Sequence, residues 1–104
     1  MKRIEAIVQS SMKDQVVSAI KKVGVGGITV WQTQGLGEAD PPLVGQYFSK
    51  EVVVSVVSDS KVDAVLDAIA NVACTGTKGD GKVFVSNVED ALDICTKEKG
   101  ESAI

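Results

Sequence analysis

The run KEVVVSVV, residues 50–57, places five valines within six consecutive positions. β-Branched side chains pack well on a pleated surface, so the run is a strand. Its apolar residues are continuous rather than alternating, which marks a strand buried on much of both faces. Such a strand lies in the middle of a sheet or is covered by a neighbouring subunit. The rest of the chain must supply what covers it.

The flanking patterns supply two β-α-β-sized halves. Residues 2–8 alternate around Ile4, Ala6 and Val8 and read as a first strand. Ser10 or Ser11 is positioned to cap a helix, with Asp14 near its positive end. Val16, Val17, Ile20 and Val23 form its apolar stripe, and Gly24 stops it. A second strand runs from Ile28 through Val30 and ends at Gly35-Leu36-Gly37. Residues 38–49, with Pro41 and Pro42, form a long loop. After the valine strand, Ser58 or Asp59 caps a second helix, whose Val62, Val65, Leu66 and Ile69 share one stripe. Residues 82–86 form the fourth strand. Residues 88–91 suit a short helical turn, followed by a short strand through Ile94, and the polar tail 96–104 is expected to be mobile.

The order strand, helix, strand, strand, helix, strand specifies a single α+β domain of ferredoxin-like type spanning residues 1–104. Its antiparallel four-stranded sheet carries both helices on one face. Ile4, Ala6, Val30 and the valine run are too apolar for a wet surface, so the open face predicts self-association.

A net charge of −3 argues against a nucleic-acid surface, and the absence of histidine removes the commonest general base and metal ligand. Cys74 and Cys95 lack the spacing of a zinc site or a disulfide framework and read as buried free thiols. No apolar run is long enough to span a membrane, and MKRIEAIVQ does not read as a signal peptide, so a cytoplasmic location is expected.

The chemistry concentrates in two glycine loops. TGTKGDGKVFV, residues 75–85, sets Gly79, Asp80, Gly81 and Lys82 against an apolar run, with Lys78 adding charge. Two readings stand: a plain strand-entry turn, or a nest of backbone amides that holds an anion, phosphate being the natural guest. The spacing is not that of a Walker loop. Gly35 and Gly37 form a second pair at a strand exit, and Lys50 closes the long loop as either a solvated edge lysine or an anion contact. Thr29 is placed either to bond a ligand or to face a neighbouring strand. Trp31 and Tyr47 are placed either to stack on a base or to pack in the core or an interface. Asp59, Asp63 and Asp67 recur along one helix as a solvated face. Without a credible nucleophile or base, binding is favoured over catalysis, and no catalytic or metal-ligating residue is assigned.

The sequence resembles the PII signalling protein family along nearly its whole length. The likeness rests on the IEAIV start, GVGGITVWQTQGLG from residue 24, the Lys50 strand, TGTKGDGKVFV, and the ending ESAI. The resemblance implies a homotrimer with sheets facing the three-fold axis and nucleotide sites in the clefts between subunits. It implies that Ile7, Gly27, Ile28, Thr29 and Val56 line the adenine side. Gly35 and Gly37 then lead into an effector-sensing loop of about residues 37–50. Gly79, Asp80, Gly81 and Lys82 grip phosphates, and Lys50 helps hold an effector or small anion.

Departures from the family pattern sharpen the expectation. Residues 38–49 make a loop several residues shorter than in nitrogen-sensing members, without their Tyr-Arg-Gly modification site. Ala39 replaces the glutamine that helps hold magnesium and 2-oxoglutarate, and Asp93 and Cys95 replace two arginines that reach phosphates. Fewer charge-assisted contacts weaken a triphosphate more than a shorter chain. AMP or ADP is therefore expected to bind better than ATP, with weak 2-oxoglutarate response and no uridylylation. The short-loop pattern is similar to carboxysome-associated, inorganic-carbon-linked members. It implies bicarbonate sensing and a transporter or enzyme partner engaged through the 38–49 loop. The alternative within the family is a nitrogen regulator responding to ATP and 2-oxoglutarate. Outside it stand a metal-binding ferredoxin-like trimer and a small ATP hydrolase.

Overall fold

The computed structural model describes residues 1–37 and 47–104. Strand β1 (Lys2–Gln9) passes through a single 3-10 turn into helix α1 (Lys13–Val23), then β2 (Thr29–Gly35). Strand β3 (Phe48–Val57) leads through a second 3-10 turn to helix α2 (Val62–Ala73), and β4 is Gly81–Asn87. All three strand pairings are antiparallel and the sheet order is β2-β3-β1-β4, so the fold is ferredoxin-like. The valine strand is central, as its composition demands. It begins at Phe48, two residues earlier than the sequence suggests, because Phe48 and Ser49 pair with Gly35 and Gln34.

The pairing register decides which side of each strand meets the helices. Ala6 lies beside Val53, and Val53 beside Val30. These residues, with Ile4, Val8 and Val57, pack under Val16 and Ile20 of α1 and Val65, Ile69 and Ala73 of α2. Ile4, Ala6 and Val30 are therefore core residues and not part of the open face. That face instead carries Ile7, Val52, Val54 and Val56, flanked by Trp31 on β2 and Phe84 on β4. Trp31 and Phe84 are 42% and 52% exposed, so the open face still bears large apolar side chains at both edges.

Several local expectations are corrected. Neither Ser10, Ser11, Ser58 nor Asp59 caps a helix through its side chain, because a 3-10 turn separates these residues from the first α-helical turn. Gly24 does end α1, at φ +90°, with its N–H donating to the Lys21 carbonyl at 3.0 Å. Residues 88–91 are not helical. The chain bends into a narrow antiparallel bridge between Leu92 and Lys99, with Asp93 N–H donating to Glu98 O at 2.9 Å. Both cysteines are exposed. Ala73 takes the last inward position of the α2 stripe and turns Cys74 outward, while Cys95 lies within the turn that Asp93 organises. No described helix is long and apolar enough to cross a membrane.

Candidate functional site

The end of the sheet where β1 and β2 finish and β3 and β4 start gathers most of the residues singled out in the sequence. There Gln9 lies opposite Lys50, Ile7 opposite Lys82, and Gly35 opposite Phe48. A cleft of about 440 Å³ opens among them. Lys50, Lys78 and Lys82 line it, together with Gly35, Gly37, Gly79 and Gly81 and an apolar wall of Ile7, Val8, Leu36 and Phe84. Among the described residues, three ammonium groups and no carboxylate line this space, so it suits an anion attached to an apolar body. Phe84 was missed in the sequence. Two-residue alternation from Lys82 was the signal that placed it on the same face.

The loop before β4 is built around Asp80. Its Oδ2 accepts from the backbone N–H groups of Thr75 at 2.6 Å, Gly76 at 3.1 Å and Thr77 at 3.3 Å. Its Oδ1 accepts from both threonine hydroxyls, that of Thr77 at 3.1 Å. The loop's converging amides at residues 75–77 thus surround the chain's own carboxylate. Asp80 shapes the loop, and Lys78 and Lys82 supply the charge toward the cleft. A second strut is Gln9, whose Nε2 donates to the Gly79 carbonyl at 2.8 Å. Nothing local in the sequence marks Gln9, because its partner is 70 residues away.

These hydrogen bonds, foremost from the Thr75 hydroxyl and amide, hold the Asp80 carboxyl down at about 2. The folded value lies below the ordinary carboxylate value, so the stabilisation is fully present at neutral pH. It fades as pH falls below the unfolded value and is lost through about 2. In an NMR titration the Thr75, Gly76 and Thr77 amides are expected to shift together with a midpoint near 2. Midpoints scattered near ordinary carboxylate values would show that Asp80 does not hold them.

The other residues with a candidate binding role lie elsewhere. Gly27, Thr29 and Val56 line a cleft of about 290 Å³ with Gly26, Val54, Ser55, Ala103 and Ile104. It lies toward the opposite end of the sheet, since Val56 pairs with Arg3 whereas Ile7 pairs with Val52. Ile28 packs against the core and lines neither cleft. Ile7, grouped in the sequence with the adenine side, stands at the lysine end. One chain therefore separates the two halves of the expected site. Ala39 lies outside the described residues. Asp93 accepts from the N–H groups of Cys95 at 3.1 Å and Thr96 at 3.0 Å, and the Thr96 contacts lead in pulling its carboxyl below the usual range. Among the described residues, no cluster of three or more acidic, cysteine or histidine side chains is placed to hold a metal.

The family profile described as nitrogen regulatory protein P-II matches residues 1–98. The chain is 41% identical to the nitrogen regulatory protein P-II of Rhizobium meliloti (strain 1021), with both chains covered in full. It is 38% identical to that of Azospirillum brasilense and 36% to that of Rhodospirillum rubrum, again over the whole of each chain. The alignments span 112 positions against the 104 residues here, consistent with an internal segment shorter than in these relatives. A ferredoxin-like sheet, a lysine-lined cleft at the entry to β4 and full-length similarity to these regulators converge, and the chain belongs to the nitrogen regulatory protein P-II family.

Proposed function

We propose that this chain is a non-enzymatic regulatory protein that forms a homotrimer and binds adenine nucleotides in clefts between subunits. The observation that carries the reading is the division of the site. The lysines stand at one end of the sheet, and the cleft holding Gly27, Thr29 and Val56, without a charged side chain among the described residues, stands toward the other. A ligand with a phosphate head and an aromatic base uses both only if a second copy brings that cleft to the first copy's lysines. The apolar open face bearing Trp31 and Phe84 is available for that association. Within the site, Lys82, Lys78 and the 79–81 backbone meet phosphates, Ile7 and Phe84 provide the apolar wall, and Lys50 serves an effector or small anion.

The relatives named above are called nitrogen regulatory proteins, which favours a nitrogen-regulatory role with ATP and 2-oxoglutarate as the signals. A second reading is favoured by Asp93 and Cys95, which stand where the family resemblance expects arginines, and by the short loop. On that reading AMP or ADP binds more tightly than ATP, bicarbonate is the co-signal, and the output is inorganic-carbon metabolism. In both, the segment between β2 and β3 engages a protein partner, a transporter or an enzyme, and a ligand bound at its base biases that engagement.

Isothermal titration of AMP, ADP and ATP, each repeated with bicarbonate and with 2-oxoglutarate plus magnesium, separates these roles. ATP binding strengthened by 2-oxoglutarate establishes the nitrogen-regulatory reading. Tighter AMP or ADP binding altered by bicarbonate establishes the second. Absence of binding by all three nucleotides overturns both.

A further inference from the structure

We propose that residues 101–104 form a wall of the base end of the nucleotide cleft and set its selectivity for the base. This inference rests on the nucleotide reading above. Ala103 and Ile104 line the cleft that holds Gly27, Thr29 and Val56. Their approach depends on Gly26, where an added Cβ would stand 2.9 Å from the Ile104 carbonyl carbon. That distance is too short for any side chain, so the backbone at Ile104 and the backbone at Gly26 are packed directly together.

The segment is held from several sides. Gly100 N–H donates to Asp90 Oδ1 at 3.2 Å and to Ala91 O at 3.0 Å, tying its start to the far arm of the 92–99 bridge. The Ser102 hydroxyl donates to Lys99 O at 2.9 Å, and Ile104 N–H donates to Glu101 O at 3.2 Å. On the opposite wall, Ser55 Oγ donates to Gly27 O at 2.7 Å and fixes the chain entering β2. Val54, Val56, Ala103 and Ile104 thus frame a space without a charged side chain among the described residues, and Lys61 and Glu101 open into an adjoining cavity instead. Apolar walls with exposed glycine backbone suit a flat, uncharged heteroaromatic ring, and backbone groups along one edge read that ring's donors and acceptors. Among the described residues no cation lines this cleft, whereas three line the other, so phosphates belong at the lysine end.

The test compares AMP and GMP binding by calorimetry in the full chain, in Gly26→Ala, and in a chain ending after Gly100. Lys82→Ala is the control. Both wall variants are expected to lose about tenfold in AMP affinity through lost apolar and edge contacts. Their AMP-to-GMP affinity ratio is expected to fall toward one. Lys82→Ala weakens both nucleotides alike and leaves the ratio in place. Melting curves establish that each variant is folded, and the shortened chain serves if Gly26→Ala is not. An unchanged ratio in the folded variants, or a full chain without base preference, overturns the proposal while leaving nucleotide binding intact. A full chain that binds neither nucleotide overturns the underlying reading as well.

Discussion

Gly81→Ala is expected to destabilise the protein by about 3 kcal/mol or more, among the larger effects a single substitution produces. Gly81 sits at φ +116°, and a Cβ there would stand 2.1 Å from the Ile7 carbonyl oxygen and 3.2 Å from Val8 Cα. Both obstacles are backbone of the neighbouring strand, so no rotamer change relieves them. The β1–β4 pairing must part at its Val8–Gly81 end, which also moves Lys82 away from Ile7. For a domain of this size such a loss lowers Tm by roughly 10–20 °C. Gly79→Ala is the contrasting variant, because its Cβ would meet side-chain atoms and no backbone: Gln9 Nε2 at 3.4 Å and Thr77 Oγ1 at 4.0 Å. Thermal melts of the two variants check the argument. A Gly81→Ala protein that melts with the wild type would refute the tight approach of β4 to β1.

Lys82→Ala is expected to do the opposite: leave stability nearly untouched and weaken nucleotide binding. Lys82 is exposed and lies across from Ile7 on the open face, lining the lysine cleft. A hydrogen bond to a charged group contributes about 1.5–3 kcal/mol. Its loss raises Kd roughly 10- to 150-fold. Calorimetric titration with the wild type's preferred nucleotide, paired with a melting curve, checks both halves. Unchanged affinity would remove the loop of residues 75–82 from the phosphate site. A large loss of stability would instead make Lys82 a structural residue.

Set beside each other, these substitutions separate what the glycine loop does for the fold from what it does for a ligand. Gly81 permits the chain to enter the sheet, Asp80 ties residues 75–77 into a closed turn, and Gln9 braces Gly79 from the next strand. The stretch of residues 75–85 admits two readings in the sequence, a strand-entry turn or a ligand loop. It is a strand-entry turn in its backbone, and its outward lysines are what give it a candidate binding role.

Local pattern was enough for the order of elements. The apolar stripe at Val16 and Ile20, the stripe at Val65 and Ile69, and the valine run each follow from the period of their own backbone, which a few neighbouring residues express. The glycine loops and their lysines were visible for the same reason, since unusual residue types stand side by side in the chain. The faces of the sheet were not visible. Alternation shows that Ile4 and Glu5 point opposite ways, but only the pairing of β1 with β3 and β4, together with the side on which the helices land, decides that Ile4 is the buried one. The same long-range pairing brings Lys50, Lys78 and Lys82 to one end of the sheet and leaves Val56 toward the other. It also seats Ile104 against Gly26, 78 residues earlier in the chain. Helix starts turned on short 3-10 turns and the exposure of Cys95 on a narrow bridge, and the apolar stripes mark neither. The sequence by itself determined the elements and the chemistry they carry, because both are written in near neighbours. Tertiary structure alone decided which of those groups meet, because that depends on register and packing between segments far apart in the chain.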